Sequence, residues 1–237
     1  MDQSKKSVSI IIPMYNEEDN IEAVIRDNAD TLRLEQIPFE ILACDDFSKD
    51  RTADVVRSLM KEYPDTKLVT NQFNKGYAGG IKTGIANATG DYFIVVTGDG
   101  SDFPSDIVAF YQQAVAHDYD FVFGSRFIKG GAVYNYPLLK LIVNRLGNTF
   151  FRVLMWSKCD DFSNSFKLYN RQFVQSLLPL ESEGFEITIE LCFKALKKSR
   201  HYAVVANSWR NRAHGYSKMR MFKVIPRFVK RFFQVYF

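Results

Sequence analysis

The sequence predicts an α/β fold with a mostly parallel central sheet and helices on both of its faces. Strand-like and helix-like segments alternate five times with short connections, and a polar cluster follows each of the first five predicted strands. Ligands of such sheets bind beyond the carboxyl ends of the strands. The polar clusters therefore predict a functional site along one edge of the sheet.

The first nine elements carry this alternation. Short β-branched or apolar runs predict buried strands, and longer segments with apolar residues every three or four positions predict helices. The expected strands cover 7–12, 39–44, 67–70, 92–97 and 120–123, and the expected helices cover 17–34, 52–63, 76–88 and 104–117.

After Gly131 the pattern changes. We expect a helix over 137–156, a strand over 166–169, a helix over 186–198, a strand over 202–206 and a helix over 219–236 with a kink at Pro226. Helix 137–156 is apolar around most of its circumference but carries three cations. It fits either a helix at a membrane interface or a packing helix whose cationic side chains reach the surface.

Composition excludes several protein classes. With 46% hydrophobic and 24% charged residues among 237, the chain is neither disordered nor collagen-like. Its three cysteines lack paired spacing, which favours a reducing compartment over a disulfide framework or a zinc site. No secretory signal is expected. The longest uncharged stretch has eleven residues, whereas a bilayer span needs about 20, so we expect no crossing by this chain.

Charge is divided unevenly along the chain. Residues 191–237 hold twelve Lys and Arg and no Asp or Glu, which leaves 19 basic against 27 acidic residues elsewhere. A basic tail on an acidic body favours an anionic partner such as nucleic acid, anionic lipid or a phosphate ligand. The alternative is a solvated basic helix, or one packed on its own acidic body. We expect a catalytic domain over 1–218 and a basic amphipathic helix over 219–237.

Carboxylates gather at the ends of the predicted strands. Glu17 follows the first strand, Asp46 the second, and Asp99 and Asp102 the fourth. Each acidic group alone is typical of a helix cap or a surface loop. Together at one edge they would repel one another unless cations or hydrogen-bond donors are present, and Mg²⁺ is usually held by one or two carboxylates plus substrate phosphates. The sequence has neither a P-loop nor the dinucleotide-binding glycine pattern.

An ordered set of motifs resembles family 2 glycosyltransferases, and specifically their dolichol-phosphate mannosyltransferase-like branch, which acts on polyprenyl phosphates. The motifs span about residues 7–220 and are Ile-Pro-Met-Tyr-Asn-Glu-Glu from Ile12, Asp-Asp-Phe-Ser-Lys-Asp-Arg-Thr from Asp45, Gly98-Asp99, Gly-Ser-Arg-Phe from Gly124, Lys129-Gly-Gly, Asn-Arg-Leu-Gly-Asn from Asn144, Asp-Phe-Ser-Asn-Ser-Phe-Lys from Asp161, Gly-Phe-Glu-Ile-Thr-Ile-Glu from Gly184 and Arg-Ala-His-Gly-Tyr-Ser-Lys from Arg212.

The resemblance implies a GT-A-type nucleotide-diphospho-sugar transferase fold, a GDP- or UDP-linked sugar donor and Mg²⁺ or Mn²⁺. The residues implied at the donor are Pro13, Tyr15, Glu17, Asp46, Gly98, Asp99, Arg212, Ser217 and Lys218. Asp99 and Ser101 are the implied metal ligands. Ser125, Arg126, Arg145 and Lys167 are the implied residues at the acceptor phosphate, and the implied catalytic residues are Asp99, Arg126, Arg145 and Asp161.

The chain departs from the family pattern at four positions. Thr97 stands at the first Asp of Asp-x-Asp, Phe47 and Ser165 stand where Gly is usual, and Lys167 stands where Arg is usual. Lys lacks the two-pronged geometry with which Arg binds phosphate.

The expected reaction is inverting transfer of the sugar to a polyprenyl (dolichyl or undecaprenyl) phosphate at the cytoplasmic face of a membrane. The chain would bind the membrane surface peripherally or through an integral-membrane partner. Two alternatives stay open: a glycan or other hydroxyl acceptor, for which Asp161 would serve as base, and a catalytically weak nucleotide-sugar-binding protein. Nucleic-acid binding by the tail is disfavoured because the acidic sheet edge would repel phosphates.

Overall fold

The computed structural model of the protein describes residues 5–212 and 221–237. Its strands are β1 (Val8–Met14), β2 (Phe39–Asp45), β3 (Thr66–Thr70), β4 (Tyr92–Val95), β5 (Phe121–Ser125), β6 (Ala132–Tyr134), β7 (Lys167–Asn170), β8 (Tyr202–Ala206) and β9 (Ser208–Arg210). Its helices are α1 (Ile21–Leu34), α2 (Thr52–Leu59), α3 (Tyr77–Asn87), α4 (Pro104–His117), α5 (Leu138–Leu154), α6 (Arg171–Gln175), α7 (Ile187–Lys198) and α8 (Met221–Tyr236).

Seven strands form the central sheet in the order β3-β2-β1-β4-β7-β5-β8. β1 runs parallel to β2 and β4, and β5 runs parallel to β8. β7 is inserted between β4 and β5 and runs antiparallel to both. The mostly parallel sheet is therefore confirmed, with one reversed strand near its middle.

Apolar side chains cover both faces of the sheet. α1, α2 and α4 pack on one face, where Ile10, Ile12 and Ile94 are fully or almost fully buried. α3, α5, α7 and α8 pack on the other, around Phe93, Phe123 and similar side chains. The predicted arrangement of helices on both faces is confirmed, and it leaves the carboxyl ends of the parallel strands as the accessible edge.

Three short elements were not predicted: α6, and the strands β6 and β9, which pair in parallel as a separate two-stranded sheet. The pair joins residues that lie far apart in the chain, so local periodicity carries no signal for it. This small sheet brings the segment before α5 next to the segment that carries Arg212.

α8 docks on the body of the protein. Phe232 is buried and meets Phe193 of α7 edge-on, with ring centroids 5.4 Å apart. Arg231 on α8 forms an ion pair of 2.7 Å with Glu181. The basic helix is thus partly neutralised by the chain's own acids. Over the described ranges 5–212 and 221–237, no helix is both long enough and apolar enough to span a bilayer.

Candidate active site

A cavity of about 710 Å³ opens at the carboxyl ends of β1, β2 and β4. Its floor is polar and its opposite walls are largely apolar helix surfaces. Seven of the nine residues expected at the donor line it: Pro13, Tyr15, Glu17, Asp46, Gly98, Asp99 and Arg212. The remaining two, Ser217 and Lys218, lie outside the described residues.

Asp46 is held rigidly at the end of β2. One carboxylate oxygen accepts a hydrogen bond of 2.7 Å from the Asn71 side chain, and the other accepts one of 2.8 Å from the backbone N–H of Gly76. Both donors come from the loop between β3 and α3. Asp46 thereby links the end of β2 to the loop that follows β3, and it forms one side of the cavity floor.

Asp99 follows β4 and meets a cation. The Arg212 guanidinium lies 2.6 Å from its carboxylate and 3.8 Å from that of Glu17. A second oxygen of Glu17 accepts a hydrogen bond of 3.0 Å from Asn20. Two carboxylates from different strand ends therefore share one guanidinium, which offsets their mutual repulsion.

Thr97 and Asp102 bind each other. The backbone N–H and the hydroxyl of Thr97 both donate to one Asp102 oxygen at 2.8 Å. Burial raises the pKa of Asp102 to about 6, although the Thr97 hydrogen bonds act in the opposite direction. Asp102 does not line the cavity. It therefore does not replace the carboxylate that Thr97 lacks.

The residues present suit a divalent cation only if a substrate supplies most of its ligands. Among the side chains of residues 5–212 and 224–237, no group of three or more His, Cys, Asp or Glu is placed to hold a metal ion. Asp99 faces the cavity, and the buried Ser101 hydroxyl has no hydrogen-bond partner. Mg²⁺ commonly binds to one or two carboxylates plus phosphate oxygens, and Asp99 fits that pattern.

Arg126 joins the polar floor to the apolar walls. It follows β5, lines the cavity and forms a two-pronged ion pair with Asp161, at 2.7 and 2.8 Å. Asp161 is fully buried and also accepts a hydrogen bond of 3.2 Å from Asn148. Burial disfavours a charged Arg126, but Asp161 raises its pKa, so the guanidinium stays protonated.

Ser125 and Arg145 lie behind this position rather than in the cavity lining. The Ser125 hydroxyl donates to Asp160. Arg145 is 3.4 Å from the same carboxylate and stacks over the Phe127 ring, with 4.4 Å to the ring centroid. Both residues therefore support the loop that carries Arg126.

The structure argues against the role expected for Lys167. Its side chain is 1% exposed, and its ammonium donates to the backbone carbonyls of Phe162 and Asn164. Lys167 is not part of the cavity lining. It begins the reversed strand β7, so its side chain enters the protein interior instead of the substrate edge.

Lys140 is a cavity cation that the sequence patterns did not single out. It lies on the first turn of α5, with its ammonium 5.3 Å from the Tyr136 ring centroid and 5.8 Å from that of Trp209. Burial lowers its pKa, and the nearby Arg126 and Arg212 lower it further. No local sequence pattern indicates this position for Lys140, because Trp209 comes next to Lys140 only through the pairing of β6 with β9.

The opposite walls of the cavity come from α5, α7 and α8. Gly147 on α5 also faces the cavity, and a Cβ atom added there would meet no atom within 4 Å. The cavity thus continues from a charged floor into an apolar groove, lined by Val143, Phe150, Phe151, Ile189, Val224, Ile225, Phe228 and Val229.

Curated relatives share most of this chain. It is 30% identical over 217 residues to a dolichol-phosphate mannosyltransferase of Pyrococcus furiosus, covering 90% of this chain but 59% of that protein. It is 27% identical over 219 residues to a polyprenol monophosphomannose synthase of Mycolicibacterium smegmatis, covering 89% of this chain and 80% of that one.

Solved structures agree on the fold. Glucosyl-3-phosphoglycerate synthase from Mycobacterium tuberculosis, in complex with phosphoglyceric acid, superposes with a TM-score of 0.73 at 16% identity, over 97% of this chain and 80% of that one. The same protein in complex with Mn²⁺, UDP and glucosyl-3-phosphoglycerate also gives a TM-score of 0.73, at 15% identity and the same coverage. These neighbours confirm the GT-A-type fold.

A family-wide comparison agrees with the sequence motifs and with the fold. The pattern of glycosyl transferase family 2 matches residues 9–178, which include β1, β2, β4 and β5 with the polar loops that follow them. The chain therefore belongs to glycosyl transferase family 2 and is a glycosyltransferase.

Proposed function

We propose that this glycosyltransferase moves a sugar from a GDP- or UDP-linked donor to a polyprenyl phosphate, with inversion at the anomeric carbon. One observation carries the proposal: a single cavity joins a floor that bears carboxylates and Arg212, the two further cations Arg126 and Lys140, and an apolar groove. A nucleotide-diphospho-sugar suits the floor, a phosphate suits the cations, and a prenyl chain suits the groove. The names of the two curated relatives support the same acceptor class.

The donor half follows from charge. Breaking the glycosidic bond leaves negative charge on the nucleoside diphosphate, which cations stabilise in the transition state. Asp99 would hold Mg²⁺ or Mn²⁺, which supplies that positive charge when bound. Arg212 already lies at this place through its ion pair with Asp99. We propose that it turns toward the diphosphate together with Ser217 and Lys218, while Pro13, Tyr15, Asp46 and Gly98 line the nucleotide site.

The acceptor half needs positioning more than proton transfer. A lipid monophosphate is largely dianionic near pH 7, since its second pKa is about 6. Its oxygen can attack directly once cations hold it in line. Arg126 and Lys140 line the cavity and suit this role. Asp161 positions Arg126 through the two-pronged ion pair, and Ser125 and Arg145 both bind Asp160, the neighbour of Asp161 in the chain.

A hydroxyl acceptor is the second candidate, and its chemistry would require a general base. Asp161 was the candidate base, but it is fully buried and bound to Arg126. A base in that setting has no access to a substrate proton. The contact therefore favours the phosphate acceptor.

We also propose that the open side of the groove rests on an anionic membrane surface at the cytoplasmic face, directly or beside an integral-membrane partner. α5 exposes an apolar stripe of Leu139, Ile142, Leu146, Phe150 and Val153. On α8, Ile225, Val229 and Phe233 are also exposed, and cationic residues lie between them. Apolar faces with flanking cations are typical of interfacial helices, and each cation near anionic lipid contributes about 1 kcal/mol.

The experiment offers the purified protein labelled GDP- and UDP-sugars with Mg²⁺ or Mn²⁺ and a polyprenyl phosphate on anionic vesicles. We expect label from one donor to enter the organic phase. Asp99→Ala should lower this transfer about 10³-fold while keeping the fold. Transfer to a water-soluble hydroxyl acceptor and none to the lipid would contradict the proposal.

A further inference from the structure

Phe47 presents an exposed aromatic ring next to Asp46, just outside the lining of the donor half of the cavity. It follows Asp46, which lines the cavity, and 45% of its side chain is exposed. The ammonium of Lys75 lies 5.1 Å from the centroid of the ring. Lys75 precedes Gly76, whose N–H binds the Asp46 carboxylate at 2.8 Å. The ring and the ammonium therefore belong to the two loops that Asp46 joins.

The backbone at Phe47 is strained. Its φ of 61° lies in the left-handed region, which is unfavourable for a bulky L-residue and free of penalty for glycine. Neighbouring hydrogen bonds impose this turn: the Ser48 N–H donates to Asp45 at 3.3 Å, and the Ser48 hydroxyl accepts from the Asn16 N–H at 3.0 Å.

The Phe47 ring does not stabilise the folded protein enough to offset this strain. The ring is not buried in the core, so it contributes little hydrophobic stabilisation. Strained residues that the surrounding structure holds in place are concentrated at ligand-binding sites. The combination of strain, exposure and position beside Asp46 indicates that the ring serves a ligand.

Building on the donor class proposed above, we infer that Phe47 stacks against the nucleobase of the donor nucleotide and that Lys75 selects the base. Flat aromatic rings stack on any base. The Lys75 ammonium only donates hydrogen bonds, so it favours a base with a ring carbonyl oxygen. Guanine has one ring carbonyl oxygen and uracil has two, whereas adenine has none. The pair would therefore give both affinity for the base and a preference for guanine or uracil nucleotides over adenine nucleotides.

Calorimetric titration of the full chain tests this inference with GDP, UDP, ADP and inorganic pyrophosphate in the presence of Mn²⁺. Phe47→Gly should weaken binding of the preferred nucleoside diphosphate about tenfold or more, and Phe47→Tyr, the matched control, should bind like the wild type. Pyrophosphate affinity should be the same in all three proteins. Lys75→Met should reduce the ratio between the affinity for the preferred nucleoside diphosphate and the affinity for ADP.

Thermal unfolding of the same variants separates a ligand role from a structural one. Because glycine accepts the left-handed turn, Phe47→Gly should unfold at the same temperature as the wild type or higher. Unchanged nucleotide affinity in Phe47→Gly, or an equal loss for pyrophosphate, would overturn the stacking role. A wild type that binds no nucleoside diphosphate would overturn the proposed function as well, and so distinguishes the two failures.

Discussion

The two halves of the cavity are built in different ways. The donor half consists of loops at strand ends, where Asp46 is fixed by two hydrogen bonds and Asp99 by an ion pair. The groove is built from apolar side chains of α5, α7 and α8, with Phe150 and Ile225 left partly exposed. Directional contacts suit a ligand of defined shape and charge, whereas a smooth apolar wall suits a long, flexible chain.

Asp99→Ala should have the largest effect and should affect the donor half of the cavity without affecting the groove. Removing the carboxylate proposed to hold the metal should lower the transfer rate by about 10³-fold, the scale seen when a transition-state contact is lost. Binding of prenyl phosphate should not change, because the groove lies on the other side of the cavity. Rate measurement and lipid-binding titration check both statements. Equal losses in both would show that the halves are not independent.

The Arg126–Asp161 pair at the junction should matter for stability. Asp161→Ala leaves a buried, unpaired guanidinium, and we expect a loss of about 3–5 kcal/mol in the free energy of unfolding. The matched variant is Arg145→Ala, which removes a half-exposed ion pair of 3.4 Å and should cost below about 1 kcal/mol. Denaturant unfolding compares them. Similar losses would contradict the assignment of Asp161 as the buried anchor.

Glu40 lies near the amino end of β2, at the opposite end of the sheet from the active-site carboxylates, and its role is in stability. Burial raises its pKa, but hydrogen bonds from Lys67, Ser9 and Thr89 outweigh burial and lower it to about 2. This stabilisation is complete above the unfolded pKa of about 4.5 and is lost as pH falls toward 2. Glu40→Gln should therefore be about 1–2 kcal/mol less stable at pH 7.

The pH dependence of Glu40→Gln sharpens the contrast with Asp99. The stability gap between wild type and variant should close between about pH 4.5 and 2, as followed by denaturant unfolding at each pH. Sugar transfer at pH 7 should not change. A loss of sugar transfer in folded Glu40→Gln would contradict the assignment of the active site to the carboxyl ends of the parallel strands.

A substitution at Gly147 should change acceptor binding in the groove without changing donor binding. A Cβ atom added there meets no atom within 4 Å, and replacing a mid-helix glycine should stabilise α5 by about 0.5–1 kcal/mol. Gly147→Leu would nevertheless fill the groove, so KM for prenyl phosphate should rise about tenfold, a loss of about 1.4 kcal/mol. Donor KM should stay constant, and Gly147→Ala serves as the smaller control. A rise in donor KM alone would reverse the assignment of the halves.

The donor half could be predicted from the sequence because it depends on local order. Strand periodicity located the strand ends, and parallel strands bring their following loops to one edge. Glu17, Asp46 and Asp99 therefore gathered as expected. Phe47 was visible only as a departure from the family pattern, because its strain depends on the backbone of the folded turn.

The groove and its cations could be predicted only in part. Lys167 was expected at the acceptor phosphate, but it begins a reversed strand whose insertion between β4 and β5 no local pattern indicates. Lys140 was overlooked because its aromatic neighbours meet through the β6–β9 pair. The docking of α8 on α7 likewise depends on contacts between distant segments.

The dependence of KM on the chain length of the acceptor distinguishes a lipid held in the groove from a small soluble acceptor. KM would be measured for a series of prenyl phosphates of increasing chain length, with the preferred nucleotide-sugar at saturation. KM should fall with each added isoprene unit until the groove is filled and should then level off, and Gly147→Leu should shorten the range of chain lengths over which KM falls. A KM independent of chain length, with equal transfer to a small soluble phosphate, would contradict a lipid acceptor.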